Sequence, residues 1–291
     1  MGNNLGLIVL KKADLINIGP RDTYRYLLSW DSFFLLQIIV SYLEFEYDIK
    51  LSTVSSLSCK LWNYNDYSLA PISSWLHVYI SFDRLVSIQR PAWRFPLRFV
   101  FRISLLDIQI NQLILFNLLR KKQNQLIWFL TVLIVCLAYY SPVAFCYDLI
   151  RTDTSNRTCD FTNNNAVYLV SYMDFVFRVI LPFCLMLVFS IMLSYSLFVS
   201  RNRIVENFLA EENQTFYKEI RLSVSIICMN ILYILIQLPV SITIFNIEFF
   251  DDPNFYLTSY VFYMSYAVNF YIILCTNALF RKNFFGLFKK F

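Results

Sequence analysis

Runs of about 20 apolar residues, separated by short charged connections, constrain this chain more than any other feature. A helix of that length rises far enough to cross the hydrocarbon core of a bilayer. Apolar residues make up 58% of the chain and aromatics 19%, more than a soluble domain of 291 residues needs to fill its core. The chain therefore reads as an all-α membrane protein. Its charges are sorted along the sequence. Of 25 Lys and Arg, 19 fall in alternate connections, around Lys11 to Arg25, Arg90 to Lys122, Arg201 to Arg221 and Arg281 to Lys290. The intervening connections are acidic, with Glu44, Glu46, Asp48, Asp153, Asp160, Glu248, Asp251 and Asp252. That asymmetry places the basic connections in the cytoplasm. The net charge of +5 thus marks membrane orientation, and no nucleic-acid partner is implied. Seven cysteines form no CxxC or Cys/His cluster, and His77 is the single histidine, so neither metal nor cofactor is expected. No nucleophile–base constellation or Gly-rich phosphate loop is present, which argues against an enzyme.

The stretch from Cys59 to Pro91, CKLWNYNDYSLAPISSWLHVYISFDRLVSIQRP, combines membrane length with ionisable residues. Asp66 lies near its outer end and Asp83-Arg84 near its inner end. Such groups are expensive inside a membrane and mark functional positions. With FDRLVSIQRP, the stretch resembles the third helix of rhodopsin-like (class A) G-protein-coupled receptors. Further residues follow in the family's order: Asn3, Asp31 in LLSWD, Trp128, Pro182, Pro239 in IQLP, and NFYIILCTNALFRKNF (269–284), which is similar to NPxxYxxxNxxFR. Four departures fall where that family keeps its activation machinery: Ser190, Gln237, Phe270 and Ile273.

The resemblance implies a seven-transmembrane helix bundle over residues 1–291. Residues 1–10 stand for the cytoplasmic half of a truncated first helix. The other spans are expected at 22–43, 59–91, 125–149, 165–200, 216–246 and 255–278, and a basic amphipathic helix lies on the inner leaflet at 279–291. Cys59 is expected to pair with Cys159. Asp31, Ser73 and Asn269 correspond to a polar cluster that holds a sodium ion in related receptors. Asp83, Arg84, Glu219, Asn269 and Pro239 correspond to the G-protein switch. Asp174 and Arg178, four residues apart on one helical face, can pair with each other. Asn156-Arg157-Thr158 is an outward glycosylation sequon, whereas Asn213-Gln214-Thr215 lies inside. Residues 99–119 lengthen the second cytoplasmic loop, either as an amphipathic helix on the inner leaflet or as an insertion foreign to the receptor. The second reading leaves a normal basic loop when the segment is removed.

The function so implied is transduction of an extracellular ligand's binding to a heterotrimeric G protein at the plasma membrane. Asp66, Tyr67, Asp174 and Tyr263 are the expected ligand contacts. The carboxylate of Asp66 favours a cationic group. Val240 and Ser241, where amine receptors place aromatic residues, shift the expectation from a biogenic amine to a short basic or amidated peptide, as in neuropeptide receptors. The alternatives are a receptor-like protein that binds without signalling (or a pseudogene product) and a transporter. Against a transporter, the chain shows no internal repeat.

Overall fold

The computed structural model describes residues 2–11, 21–47, 51–92, 122–151, 157–206, 223–237, 253–276 and 278–288. These residues form ten α-helices, one short 3₁₀ turn, a π-helical turn and a two-stranded hairpin. The helices are α1 (Gly2–Leu10), α2 (Arg21–Glu46), α3 (Ser56–Ala92), α4 (Lys122–Tyr139) and α5 (Val143–Cys146). After strands β1 (Tyr147–Arg151) and β2 (Arg157–Phe161) come α6 (Asn164–Asp174), the π turn (Phe175–Ile180) and α7 (Leu181–Glu206). They are followed by α8 (Ser223–Gln237), α9 (Pro253–Thr276) and α10 (Ala278–Phe288).

Helix α3 is the axis of the bundle and packs against α2, α4, α5, β1, the π turn and α7. One of its faces is polar and almost completely buried. Ser73, Ser74, His77, Ser81 and Arg84, spaced by one, three, four and three residues, are each no more than 1% exposed. Intervals of three and four residues keep them on one side of the helix. That polar stripe explains why α3, the longest of the described helices, is not among those apolar enough to be read as a span. Among the described residues three helices pass on length and apolarity: Asp22–Glu44, Gln125–Cys146 and Asn165–Phe198. The count becomes four if Tyr263–Cys275 and Phe280–Gly286, bent by 93°, form one broken span. The bend sets α10 across the end of α9, the attitude expected of a helix lying on a membrane surface.

Two prolines shape the helices around the site. Pro142 cannot donate to a helical ladder. α4 ends at Tyr139, and a turn leads into the four-residue α5. Pro182 likewise deprives an upstream carbonyl of its partner. The ladder before it widens, and the Leu181 N–H reaches Val176 O, five residues back. Asn163 caps α6, its side chain accepting from Ala166 N at 2.8 Å.

Three sequence expectations change. The architecture is not purely helical, because β1 and β2 form an antiparallel hairpin with Leu149 opposite Cys159. The fourth helical stretch ends at Cys146 rather than residue 149, where the chain becomes extended to enter β1. Helix α3 begins three residues before Cys59, at Ser56.

Candidate functional site

The site is built in three tiers down α3. At the outer end, Cys59 and Cys159 are joined by a disulfide with a Cα–Cα separation of 5.6 Å, as expected. The hairpin is thereby fastened to α3. Ser56 Oγ donates to Asp148 Oδ1 at 2.6 Å, and Lys60 Nζ lies 3.3 Å from Asp148 Oδ2. The Ser56 hydroxyl, then the Leu149 amide and Lys60, hold the Asp148 carboxyl below its ordinary pKa. Asn63 Nδ2 donates to Cys59 O at 3.0 Å and approaches Cys159 Sγ at 3.1 Å.

Beneath the hairpin stand the expected ligand contacts. Asp66 is exposed, and Gln37 Nε2 lies 3.5 Å from its Oδ1. The Tyr67 ring lies tilted to those of Tyr140 and Tyr147, at 6.4 and 6.2 Å, and its hydroxyl accepts from Tyr147 OH at 3.3 Å. Asp174 and Arg178 form the ion pair expected from their spacing, at 2.5 Å, and Tyr140 OH donates to Asp174 Oδ1 at 2.9 Å. The π turn supplies Arg178, and both partners are buried. Asp66 lies within electrostatic reach of both members of the pair. Tyr263, on α9, packs against the cluster of Phe34, Ala70 and Tyr266.

In the middle tier Asp31, Ser73 and Asn269 come together although they are far apart in sequence. Asp31, fully buried, accepts from Ser73 Oγ at 2.7 Å and from Asn269 Nδ2 at 2.7 Å. Asn3 joins the tier from α1, donating to Tyr266 O at 2.9 Å, and Tyr266 OH donates to Ala70 O at 3.1 Å. Ser74 hydrogen-bonds Tyr233 of α8, whose ring lies 4.9 Å from that of His77. His77 is a core residue, at 1% exposure.

Towards the inner end, Asn230 of α8 donates from Nδ2 to Ser81 Oγ at 2.8 Å and to Ser190 Oγ at 3.0 Å. Arg84 is 1% exposed, and Tyr24 of α2 lies within electrostatic reach of Arg84 and Asp83. Glu219, Pro239, Asn156, Asn213 and the segment 99–119 lie outside the described residues.

The four departures from the rhodopsin-like pattern are each accommodated. Phe270 lies against α1, where a Cβ at Gly2 would come within 2.9 Å of Phe270 Cδ1 and one at Gly6 within 3.0 Å of Cδ2. It also meets the rings of Phe280 and Phe284 on α10. Ile273 is buried in the main core. Gln237 Nε2 donates to Ser265 Oγ at 3.3 Å, linking α8 to α9. Ser190 accepts from Asn230. Sequence reasoning missed Gln37, Tyr140, Tyr233 and Asn230. Asn230 carried a signal, since a lone amide inside the apolar run SIICMNILYIL has to find partners in the bundle.

Two comparisons bear on this geometry. A search of curated proteins returns no match. The family model described as Taste receptor protein (TAS2R) matches residues 101–290, which include Trp128, Pro182, Pro239 and the Asn269–Arg281 run. The match corrects the expectation of rhodopsin-like membership, because the taste receptors are a distinct family of G-protein-coupled receptors. The chain is thus a receptor and not an enzyme, a multi-pass protein of the plasma membrane, and it belongs to the taste receptor (TAS2R) family.

Proposed function

We propose that this chain is a seven-helix receptor for a small tastant carrying one positive charge, and that it couples binding to a heterotrimeric G protein. The family match supports receptor and G protein and lends no support to the expected peptide ligand. One observation carries the charge assignment. Asp174 is occupied by Arg178 and Tyr140, whereas Asp66, exposed beneath the hairpin, has among the described residues only the long contact to Gln37. Counting Asp66, Asp174 and Arg178, the site holds one negative charge in excess. A monocation neutralises it, and Tyr67, Tyr140 and Tyr147 supply the aromatic wall on which an organic cation rests.

Hydrogen bonds from Ser73 Oγ and Asn269 Nδ2 gather the three residues around the Asp31 carboxylate, and the carboxylate and hydroxyl oxygens of that cluster would suit a hard cation such as sodium. When bound, that ion would supply a positive charge beside Asp31. The residues themselves tie α2, α3 and α9 together at mid-membrane. Binding at the outer tier then biases the inner tier by its differential affinity for the resting and active arrangements.

The test is a calcium-reporter screen of cells expressing the receptor with a promiscuous G protein. Small organic ammonium compounds are compared with their neutral isosteres. Ammonium compounds should activate, and Asp66→Asn should weaken their potency by about 1 kcal/mol, the scale of an exposed ion pair. Activation by the neutral isosteres alone, or an unchanged response in Asp66→Asn, would overturn the assignment.

A further inference from the structure

The structure assigns Asn230 the role of a clasp that holds α8 against α3 and α7 in the resting receptor, a positioning function that falls to no residue of the expected switch. Asn230 is 1% exposed and sits in an otherwise apolar stretch of α8. Its Nδ2 carries two N–H donors, and the two hydrogen bonds it makes go to different helices, Ser81 on α3 and Ser190 on α7. Ser81 is itself fixed, because its hydroxyl donates to His77 O at 2.9 Å while it accepts from Asn230. One side chain thus joins three helices in the same layer, between Tyr233 one turn outward and the inner end of α8. Around it are apolar residues that confer no comparable direction: Val78, Met186 and Tyr233 on one side, Leu85 and Leu193 on the other.

The arrangement is suited to release. Asn230 Oδ1 is buried with no hydrogen-bond partner among the described residues. A buried amide satisfied on one side only is held less firmly than a complete one, since the lone carbonyl retains its desolvation penalty. Movement of α8 away from α3 and α7 breaks both bonds at once and lets the carbonyl find a partner. The two serines then turn their hydroxyls to carbonyls of their own helices, as Ser81 already does towards His77. The serine hydroxyls are then satisfied within their own helices and only the Asn230 amide has to find new partners, so the clasp can act as a switch. Ser190 stands where the rhodopsin-like pattern has a tyrosine, and a short acceptor is what brings α7 within reach of an amide on α8.

The test removes the amide while keeping its size. Asn230→Leu and, as a milder second variant, Ser190→Ala are compared with wild type in lipid nanodiscs. A ¹⁹F probe is placed at Val224, an exposed position near the inner end of α8. The clasp predicts a second ¹⁹F resonance that grows by about tenfold in Asn230→Leu and less in Ser190→Ala, on the scale of one or two net hydrogen bonds. Basal G-protein activation should rise in the same order at equal surface expression. If Asn230→Leu does not fold, the Ser190→Ala spectrum decides. The signalling arm rests on the transduction reading above, and the spectroscopic arm does not. A split spectrum with unchanged basal activation keeps the clasp and overturns transduction. A single unchanged resonance in the variants overturns the clasp.

Discussion

Phe270 shows how much one residue can hide from the sequence. Set against the rhodopsin-like motif it looks like damage, a bulky ring where proline is usual. In the bundle it fills the notch made by Gly2 and Gly6 and meets the phenylalanines of α10. Membrane helices have no hydrophobic force between them, so close packing of this kind carries much of their association. Gly6→Ala should lower stability by about 1–3 kcal/mol, the usual penalty of overpacking, because its methyl would sit 2.8 Å from Leu28 Cδ1 and 3.0 Å from Phe270 Cδ2. Phe270→Leu should partly restore Gly6→Ala. Thermal unfolding in detergent of both single variants and the pair measures the coupling, and strictly additive effects would rule out the contact. Asp31, Ser73 and Asn269 were legible from their spacing to other motif positions. Asn230 was visible only as an amide in an apolar run, because its partners lie on two other helices.

At the scale of elements, the helices were legible from apolar runs, and the outer hairpin was not. Its strands are five residues each and owe their pairing to the disulfide and to the α3 staple rather than to any strong alternation. The same limit applies to the end of the fourth span, which the apolar run carries through Pro142 to residue 149 with no sign that an extended strand would follow. The staple predicts a pH response. Hydrogen bonds in the folded state, led by that from Ser56, depress the Asp148 pKa. Its contribution is therefore present above the ordinary carboxylate value of about 4 and is lost as pH falls through the lower folded value. Amide exchange in β1 and β2 should accelerate on acidification below about pH 4, and Asp148→Asn should remove that dependence. Identical pH profiles for the two proteins would exclude the staple. Cys59→Ala should loosen the hairpin at every pH and reduce surface expression, measured by cell-surface labelling.

Over the whole molecule, two kinds of sequence signal must be distinguished. Charge asymmetry and apolar length report on the membrane and hold for any helical bundle. Single residues at family spacings report on a shared bundle more than on one family. This is why positions from Asn3 to Arg281 fitted a rhodopsin-like pattern in a chain whose family match is to taste receptors. The assigned orientation makes Asn156 extracellular and Asn213 cytoplasmic. Asparagine-to-glutamine variants followed by glycosidase treatment should show sugar on the first alone, and sugar on Asn213 would reverse the topology.

We propose that this polar-cored bundle transmits ligand binding through Arg84, buried at the inner end of the α3 stripe. The most direct measurement is agonist-stimulated nucleotide exchange on a purified G protein by the receptor in nanodiscs, wild type against Arg84→Ala, with the ammonium agonist from the cell screen. The wild type should accelerate exchange, and Arg84→Ala should bind the agonist with nearly unchanged affinity while exchange falls to the receptor-free rate. Equal exchange by both proteins, or none by a wild type that binds agonist, would contradict it.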